Sequence, residues 1–204
     1  EGLGARAADV TDVRVERHGH GIEIRLGIPP AIAARLAERG RAIPARTGCG
    51  LCGVEAIDDA VRAVAPVTSS LVVARAALWR AARELEAAQP WNAETHAVHA
   101  AAWCTPEGEV VEAREDVGRH NALDKVLGGL WLDGRDPGEG FVIVTSRASY
   151  ELVQKCAIAG VPLLAAVSRP TALAIRMAER ANVTLVGLVR GESGNVYAHG
   201  ERIT

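Results

Sequence analysis

A chain of 204 residues that is 49% hydrophobic can bury one large core, and an aromatic content of 3% with abundant alanine argues against an all-β sandwich. A formal net charge of −2 gives no basic field for nucleic acid, and no apolar run is long enough to cross a membrane. Four cysteines do not make a disulfide scaffold and fit a reduced, cytoplasmic setting; the chain opens at Glu1 with no signal-peptide pattern.

In chain order, residues 10–17 alternate apolar and polar, as do residues 21–27, and His18-Gly19-His20-Gly21 between them reads as a hairpin turn. His18 and His20 read as solvated turn residues rather than metal ligands. Pro29-Pro30 opens a helix that stops near Gly40.

Thr47-Gly48-Cys49-Gly50-Leu51-Cys52-Gly53 sets two cysteines three positions apart among three glycines. A helical pattern begins at Val54, and the positive end of a helix favours a thiolate over a thiol. The pair reads as a functional thiol loop, as half of a structural zinc site or as two buried thiols. Ala56, Ile57, Ala60, Val61 and Val64 carry the helix to Pro66. Thr68, Ser69 and Ser70 are caps for a second helix reaching Gln89, with a core face of Leu71, Ala74, Leu78, Ala82 and Leu85 and a stop at Pro90.

Residues 97–104 read as a strand, turning at Thr105-Pro106-Glu107-Gly108 into another near Val110-Val111. His96 and His99 invite zinc with Cys49 and Cys52. On a strand, positions three apart face opposite ways, which argues against it. Cys104 reads as a core thiol. The run Arg114 to Lys125 is dense in polar groups. Leu123, Leu127 and Leu130 mark the buried side of a helix, and Arg119, His120 and Lys125 at its start can surround an anion. The alternative is a capped, solvated helix end with an Asp–Lys pair.

The last third alternates strand and helix: strands at 141–144, 163–167 and 183–189, helices at 148–159 and 172–181, with Cys156 packed inside the first of these. This pattern predicts a parallel α/β sheet with ligands beyond the carboxyl ends of its strands. The turns Thr145-Ser146-Arg147 and Ser168-Arg169-Pro170-Thr171 each place a hydroxyl and an arginine before a helix, which suits phosphate. Ser146 and Ser168 also read as ordinary N-caps.

The chain resembles the formate dehydrogenase accessory sulfurtransferase family (FdhD type). The resemblance runs from Thr47 to Ile203. Its most specific motif is Glu115-Asp116-Val117-Gly118-Arg119-His120-Asn121-Ala122-Leu123-Asp124-Lys125. Cys49-Gly50-Leu51-Cys52-Gly53, Arg147-Ala148-Ser149-Tyr150-Glu151-Leu152, Ser168-Arg169-Pro170-Thr171 and Asn195-Val196-Tyr197-Ala198-His199 support it. The resemblance implies a cytidine-deaminase-like three-layer α/β/α domain with a small N-terminal α+β lobe. Residues 1–46 would be a partial lobe of hairpin and helix, 47–66 the Cys-x-x-Cys loop and its helix, and 67–204 the cofactor-binding domain.

It further implies a sulfur carrier required for formate dehydrogenase activity. Sulfur would pass from a cysteine desulfurase, as a persulfide on Cys49 assisted by Cys52, to the bis-molybdopterin guanine dinucleotide molybdenum cofactor, which would then enter formate dehydrogenase. GDP would mimic that cofactor. The working unit would be a cytoplasmic homodimer without nucleic acid, membrane or bound metal. The cofactor-binding segment would be Leu188, Val189, Arg190, Gly191, Glu192 and Ser193, with phosphate contacts from Arg119, His120, Lys125, Arg147 and Ser168. The family's usual N-terminal segment is largely missing ahead of Glu1-Gly2, Ser146 stands where the family often has glycine, and His96 where it has a small residue.

Three alternatives accompany this reading. A zinc deaminase lacks its ligand set here, since no Pro-Cys-x-x-Cys follows the histidine-bearing strand. A disulfide oxidoreductase using Cys49 and Cys52 lacks a strand leading into the pair. A non-catalytic cofactor chaperone would bind the guanine dinucleotide without carrying sulfur.

Overall fold

A computed structural model describes residues 9–38 and 64–204. The Cys49/Cys52 loop and the helix expected after it lie outside the described residues. Contacts divide the chain into two compact units, Glu1–Pro44 and Ala45–Thr204.

In the first unit, β1 (Asp12–His18) and β2 (Gly21–Gly27) form the expected antiparallel hairpin, and α1 (Pro30–Glu38) follows with proline at its first position. The register pairs Val13 with Leu26 and Val15 with Ile24, and it pairs Arg14 with Arg25 and Glu16 with Glu23. Side chains alternate along a strand, so the ribbon has one apolar and one charged face. Val13, Val15, Ile22, Ile24 and Leu26 all remain exposed. On the charged face His18 Nε2 lies 3.2 Å from a Glu23 carboxylate oxygen.

The second unit is a six-stranded sheet in the order β4-β3-β5-β6-β7-β8. The strands are β3 (His99–Cys104), β4 (Val110–Asp116), β5 (Phe141–Val144), β6 (Leu163–Ala166), β7 (Thr184–Arg190) and β8 (Ser193–Ala198). β5, β6 and β7 are parallel; β3 runs antiparallel to both β4 and β5, and β8 antiparallel to β7.

The period of two sorts the strand residues into two cores. Ala101, Trp103, Val142, Val144, Leu164, Ala166 and Leu185 face α4 (Arg119–Leu132), α5 (Tyr150–Ala159) and α6 (Ala172–Ala181). Ala100, Ala102, Cys104, Phe141, Ile143, Leu163, Ala165 and Val186 face α2 (Arg75–Ala87). The result is a three-layer α/β/α arrangement. Runs such as Phe-Val-Ile-Val are buried on both faces, which explains why they read as continuous apolar stretches.

Two expectations are corrected by long-range pairing. α2 starts at Arg75, with Ala74 as an extended N-cap that uses no side chain. Val73 instead bridges to Ile203: its N–H donates to the Arg202 carbonyl at 2.8 Å, and its own carbonyl accepts from Thr204 N–H at 3.1 Å. The core face of α2 is therefore Ala77, Leu78, Ala81 and Leu85. Pro90 does not merely close that helix; it opens α3 (Pro90–Thr95). The Glu115 carboxylate, from β4, accepts the N–H groups of Trp91 and Asn92 at 2.9 and 2.8 Å, satisfying donors at the start of α3 that would otherwise be orphaned. α3 ends at His96 in the left-handed conformation (φ 52°), so His96 and His99 do not share a strand at all.

Candidate functional site

Because β5, β6 and β7 are parallel, the segments following them emerge at one edge of the sheet. β3 runs the other way, so its first residue, His99, lies at that same edge, paired in register with Asp116 at the end of β4. Open α/β sheets place their ligands at such a carboxyl edge.

Backbone bonds tie the emerging segments together. Ala100 N–H donates to Thr145 Oγ1 (2.9 Å), and Thr145 N–H donates to the Ala100 carbonyl (3.0 Å). Thr171 N–H donates to the Ala148 carbonyl (3.0 Å), and Leu188 N–H to the Ser168 carbonyl (3.1 Å). Arg190 Nε donates to the Val167 carbonyl at 3.0 Å. Gly187 permits this closeness, since a Cβ there would lie 2.8 Å from Pro170 Cδ.

α4, α5 and α6 all begin here. Their N-caps are Gly118, Ser149 and Thr171. The caps expected at Ser146 and Ser168 are thus displaced by three residues each. The Thr171 side chain accepts from Ala174 N–H at 3.2 Å. Ser146 is buried and its hydroxyl donates to the Arg147 carbonyl at 3.1 Å. Ser149 is 5% exposed, and its hydroxyl makes no hydrogen bond among the described residues.

The three cations expected around one anion are arranged differently. Lys125 Nζ lies 2.6 Å from Asp116 Oδ2, donates to the Glu115 carbonyl at 3.0 Å and sits 5.9 Å from the centre of the Trp91 ring. The Asp–Lys pair named as the alternative is therefore present, formed by Asp116 and Lys125, while Asp124 binds Lys155 at 2.7 Å. His120 is buried, its Nε2 3.1 Å from a Glu151 carboxylate oxygen. Arg119 is the first residue of α4 and half-buried, and Arg147 is exposed in the β5–α5 turn.

Partial burial pushes the Asp116 carboxyl up, but Lys125, the Gly118 N–H and Asn121 together pull it down further, so it stays below its ordinary value. His99 is held below the ordinary imidazole value, first by burial and then by the Arg119 and Arg147 guanidiniums. Sequence reading weighed His99 only as a zinc ligand and passed over Ser149. Their signals were the start of a strand and a serine two residues before Glu151, both visible only once the element boundaries are known.

The segment Leu188 to Ser193 is not an open loop. It is the bulged end of β7 and a tight turn into β8, with Leu188 and Gly191 at positive φ (58° and 55°) and Arg190 paired with Ser193. Leu188 and Arg190 contact the β6–α6 turn. Val189 is buried in the α2-side core. Glu192 and Ser193 line a cleft of about 610 Å³ with Arg75, Trp79 and Tyr197, from which Arg119 and Arg147 are absent. The expected segment therefore divides between the two faces of the sheet.

Two further thiols can be placed. Cys104 and Cys156 are free and buried. Burial pushes Cys156 up to about 12, with nearby Lys155 opposing; burial and Glu84 push Cys104 well above the usual thiol range.

This is a three-layer α/β protein with cation-bearing turns at the carboxyl edge of its sheet. The family model described as "FdhD/NarQ family" matches residues 1–204, and the chain belongs to that family. Sulfur carrier protein FdhD of Bordetella bronchiseptica is 50% identical over 203 residues, an alignment that takes in 100% of this chain and 74% of that protein. The protein of the same name from Cupriavidus necator is 47% identical over 203 residues, covering 100% of this chain and 70% of the relative. A crystal structure from Desulfotalea psychrophila, described as a candidate formate dehydrogenase accessory protein, superposes with a TM-score of 0.70 at 28% identity, over 98% of this chain and 73% of its own. No helix among the described residues is long and apolar enough to cross a membrane.

Proposed function

We propose that this chain is a sulfur carrier serving formate dehydrogenase, and that it delivers sulfur to the guanine-dinucleotide molybdenum cofactor held at the carboxyl edge. The sulfur half of the reading is supported by the naming of relatives 47–50% identical along the whole chain. The cofactor half is carried by one observation: the turns after β4, β5, β6 and β7 meet at one edge and bring Arg119, Arg147 and Arg190 there with three helix N-termini. Such an edge suits the phosphates of a large anionic substrate.

Of the four cysteines in the chain, burial withdraws Cys104 and Cys156 from nucleophilic chemistry at neutral pH. That leaves Cys49 and Cys52 as carriers, with Cys49 first. The Cys49 thiolate attacks the outer sulfur of a desulfurase persulfide and the desulfurase thiolate leaves; the S–S bond of the new persulfide then breaks, its outer sulfur going to a reduced, two-electron-donating acceptor on the cofactor substrate while Cys49 leaves as the thiolate. The desulfurase, the dehydrogenase apoenzyme and a second copy of the chain are the partners of this cytoplasmic cycle.

Mass spectrometry after incubation with a desulfurase and cysteine tests it. The expected product is an adduct of about 32 mass units on Cys49, removed by reductant and absent from Cys104 and Cys156. Intact GDP binding with no adduct on Cys49 or Cys52 would overturn sulfur carriage and leave a cofactor chaperone.

A further inference from the structure

The sheet has two outer strands, β4 and β8, and they are finished differently. On β4 the protein's own side chains cap the backbone. The Ala113 carbonyl accepts from Arg114 Nη1 at 2.9 Å, and the Glu115 carbonyl accepts from Lys125 Nζ at 3.0 Å. The Val110 N–H donates to the Glu84 carboxylate at 2.8 Å. Glu112, Arg114, Glu115 and Asp116 also load the strand with charge. Caps and charges of this kind keep an edge strand from pairing with another chain. β8 has neither guard. Its sequence, Ser-Gly-Asn-Val-Tyr-Ala, holds no charge and no proline, and residues 193–196 are exposed. Among the described residues, no hydrogen bond from outside the β7–β8 ladder reaches the backbone of residues 193–197. On an antiparallel edge, alternate residues turn both N–H and C=O outward, so this side is a template for one more strand. The cleft of about 610 Å³ runs beside it, between Ser193 to Tyr197 and the α2 residues Arg75, Leu78 and Trp79. Val196 is 43% exposed, and the bulge between Val196 and Ala198 leaves Tyr197 unpaired to line the same cleft. Arg75 and Glu192 are exposed, and among the described residues the side chain of neither has a partner. The Glu192 carboxylate disfavours a phosphate in this cleft, whereas a peptide with side chains of both signs satisfies both groups.

We propose that β8 takes up an extended segment of a partner protein as a further, antiparallel strand of the sheet. Alternate side chains of that segment enter the cleft: apolar ones against Trp79 and Val196, and an acidic one toward Arg75. A basic residue follows where the added strand ends beside Glu192, at the start of β8. The antiparallel sense is the one β8 already uses with β7, and it is the more stable per residue. Main-chain bonds supply affinity in this mode, and the cleft supplies specificity. β8 is a lateral edge, so the added strand leaves the turns after β5 and β6 uncovered. A partner is thereby held while the carboxyl edge stays open, and the inference does not depend on the nucleotide reading.

The probe is a blocked peptide of seven residues: valine at its second and sixth positions, glutamate at its fourth, lysine at its last and threonine elsewhere. Calorimetry with the full chain should show it binding, and hydrogen exchange should slow in residues 193–197 while residues 110–116 stay unchanged. Only one edge of an added strand bonds to β8. N-methylation of one alternate set of peptide amides should therefore abolish binding, and methylation of the other set should leave it within about twofold. Arg75→Glu should weaken binding about tenfold or more, and lysine in place of the peptide's glutamate should restore it, a rescue that only a folded variant can show. Saturating peptide should leave GDP affinity unchanged. Failure of the peptide to bind, or equal binding of the two methylated forms, would overturn strand addition. Competition between GDP and the peptide would overturn it by giving the cleft to the nucleotide. Protection of residues 193–197 that grows with protein concentration in the absence of peptide would overturn it by giving the edge to a second copy of the chain.

Discussion

The two ends of the parallel strands are built for different purposes. At the amino ends of β5 and β7, polar side chains are bound inward. Trp103 Nε1 donates to the Pro137 carbonyl at 3.0 Å, and Asn182 Nδ2 to the Val67 carbonyl at 2.7 Å. Thr184 Oγ1 donates to the His199 carbonyl at 2.7 Å while accepting from Arg202 Nη1 at 3.2 Å. A cleft of about 770 Å³ at that end is lined by Asp136 and Glu139 and, among the described residues, by no cation. At the carboxyl ends, Arg147 and Arg190 are exposed, the Arg119 and Arg147 guanidiniums add to burial in holding His99 below the ordinary imidazole value, and the Ser149 hydroxyl has no partner among the described residues. One end holds the layers together and would repel phosphate. The other carries the donors that the proposed nucleotide site would use.

The contrast can be broken by substitutions at either end. The largest effect belongs to the amino end. Trp103 is 2% exposed and hydrogen-bonded, and Trp103→Ala should lower unfolding stability by about 3–5 kcal/mol in chemical denaturation, while the GDP affinity of the folded fraction stays within about twofold. A parallel collapse of nucleotide affinity in the folded fraction would mean that the two ends are not separable. At the carboxyl end the pattern should invert. Arg147→Ala should weaken GDP binding about tenfold, near 1.4 kcal/mol, and leave unfolding stability within about 0.5 kcal/mol, as calorimetry and denaturation would show.

The smallest effect sharpens the boundary between the two roles. Asp116 lies at the carboxyl edge but is structurally engaged by Lys125, Gly118 and Asn121. Asp116→Asn should cost about 1 kcal/mol at neutral pH. The folded-state value of this carboxyl is depressed below its ordinary 3.8, so its contribution is complete above that value and is lost as pH falls through the lower, folded one. Denaturation of the wild type and the variant should therefore converge only below about pH 4. A stability difference that persists unchanged at pH 2 would contradict the assignment.

Much of the second unit was legible because its signals are local. Phe141 to Val144 and Leu163 to Ala166 are short buried runs, and Gly160 in the left-handed conformation marks the helix end that a glycine there predicts. What escaped depends on partners far away in the chain. Leu71 to Ala74 continues a helical pattern, yet Val73 pairs with Ile203. Pro90 reads equally as a stop or as a first residue, and only Glu115, 24 positions beyond Trp91, decides it. In the site, Arg119, His120 and Lys125 are adjacent on paper, but Asp116 and Glu151 draw two of them to other tasks. The electrostatic influence of Arg119 and Arg147 on His99 joins β3, α4 and the β5–α5 turn, and no window of sequence contains all three. The strand expected at 183–189 runs on to Arg190 as β7 across a bulge at Leu188 that breaks its alternation.

The central claim is that the nucleotide part of the substrate docks at the carboxyl edge. Hydrogen–deuterium exchange with and without saturating GDP tests it most directly. The account predicts slower exchange in residues 116–120, 145–151, 168–172 and 188–191, and no change in residues 133–140 or 199–204. Protection confined to the amino-end segments, or to neither end while GDP is bound, would contradict it.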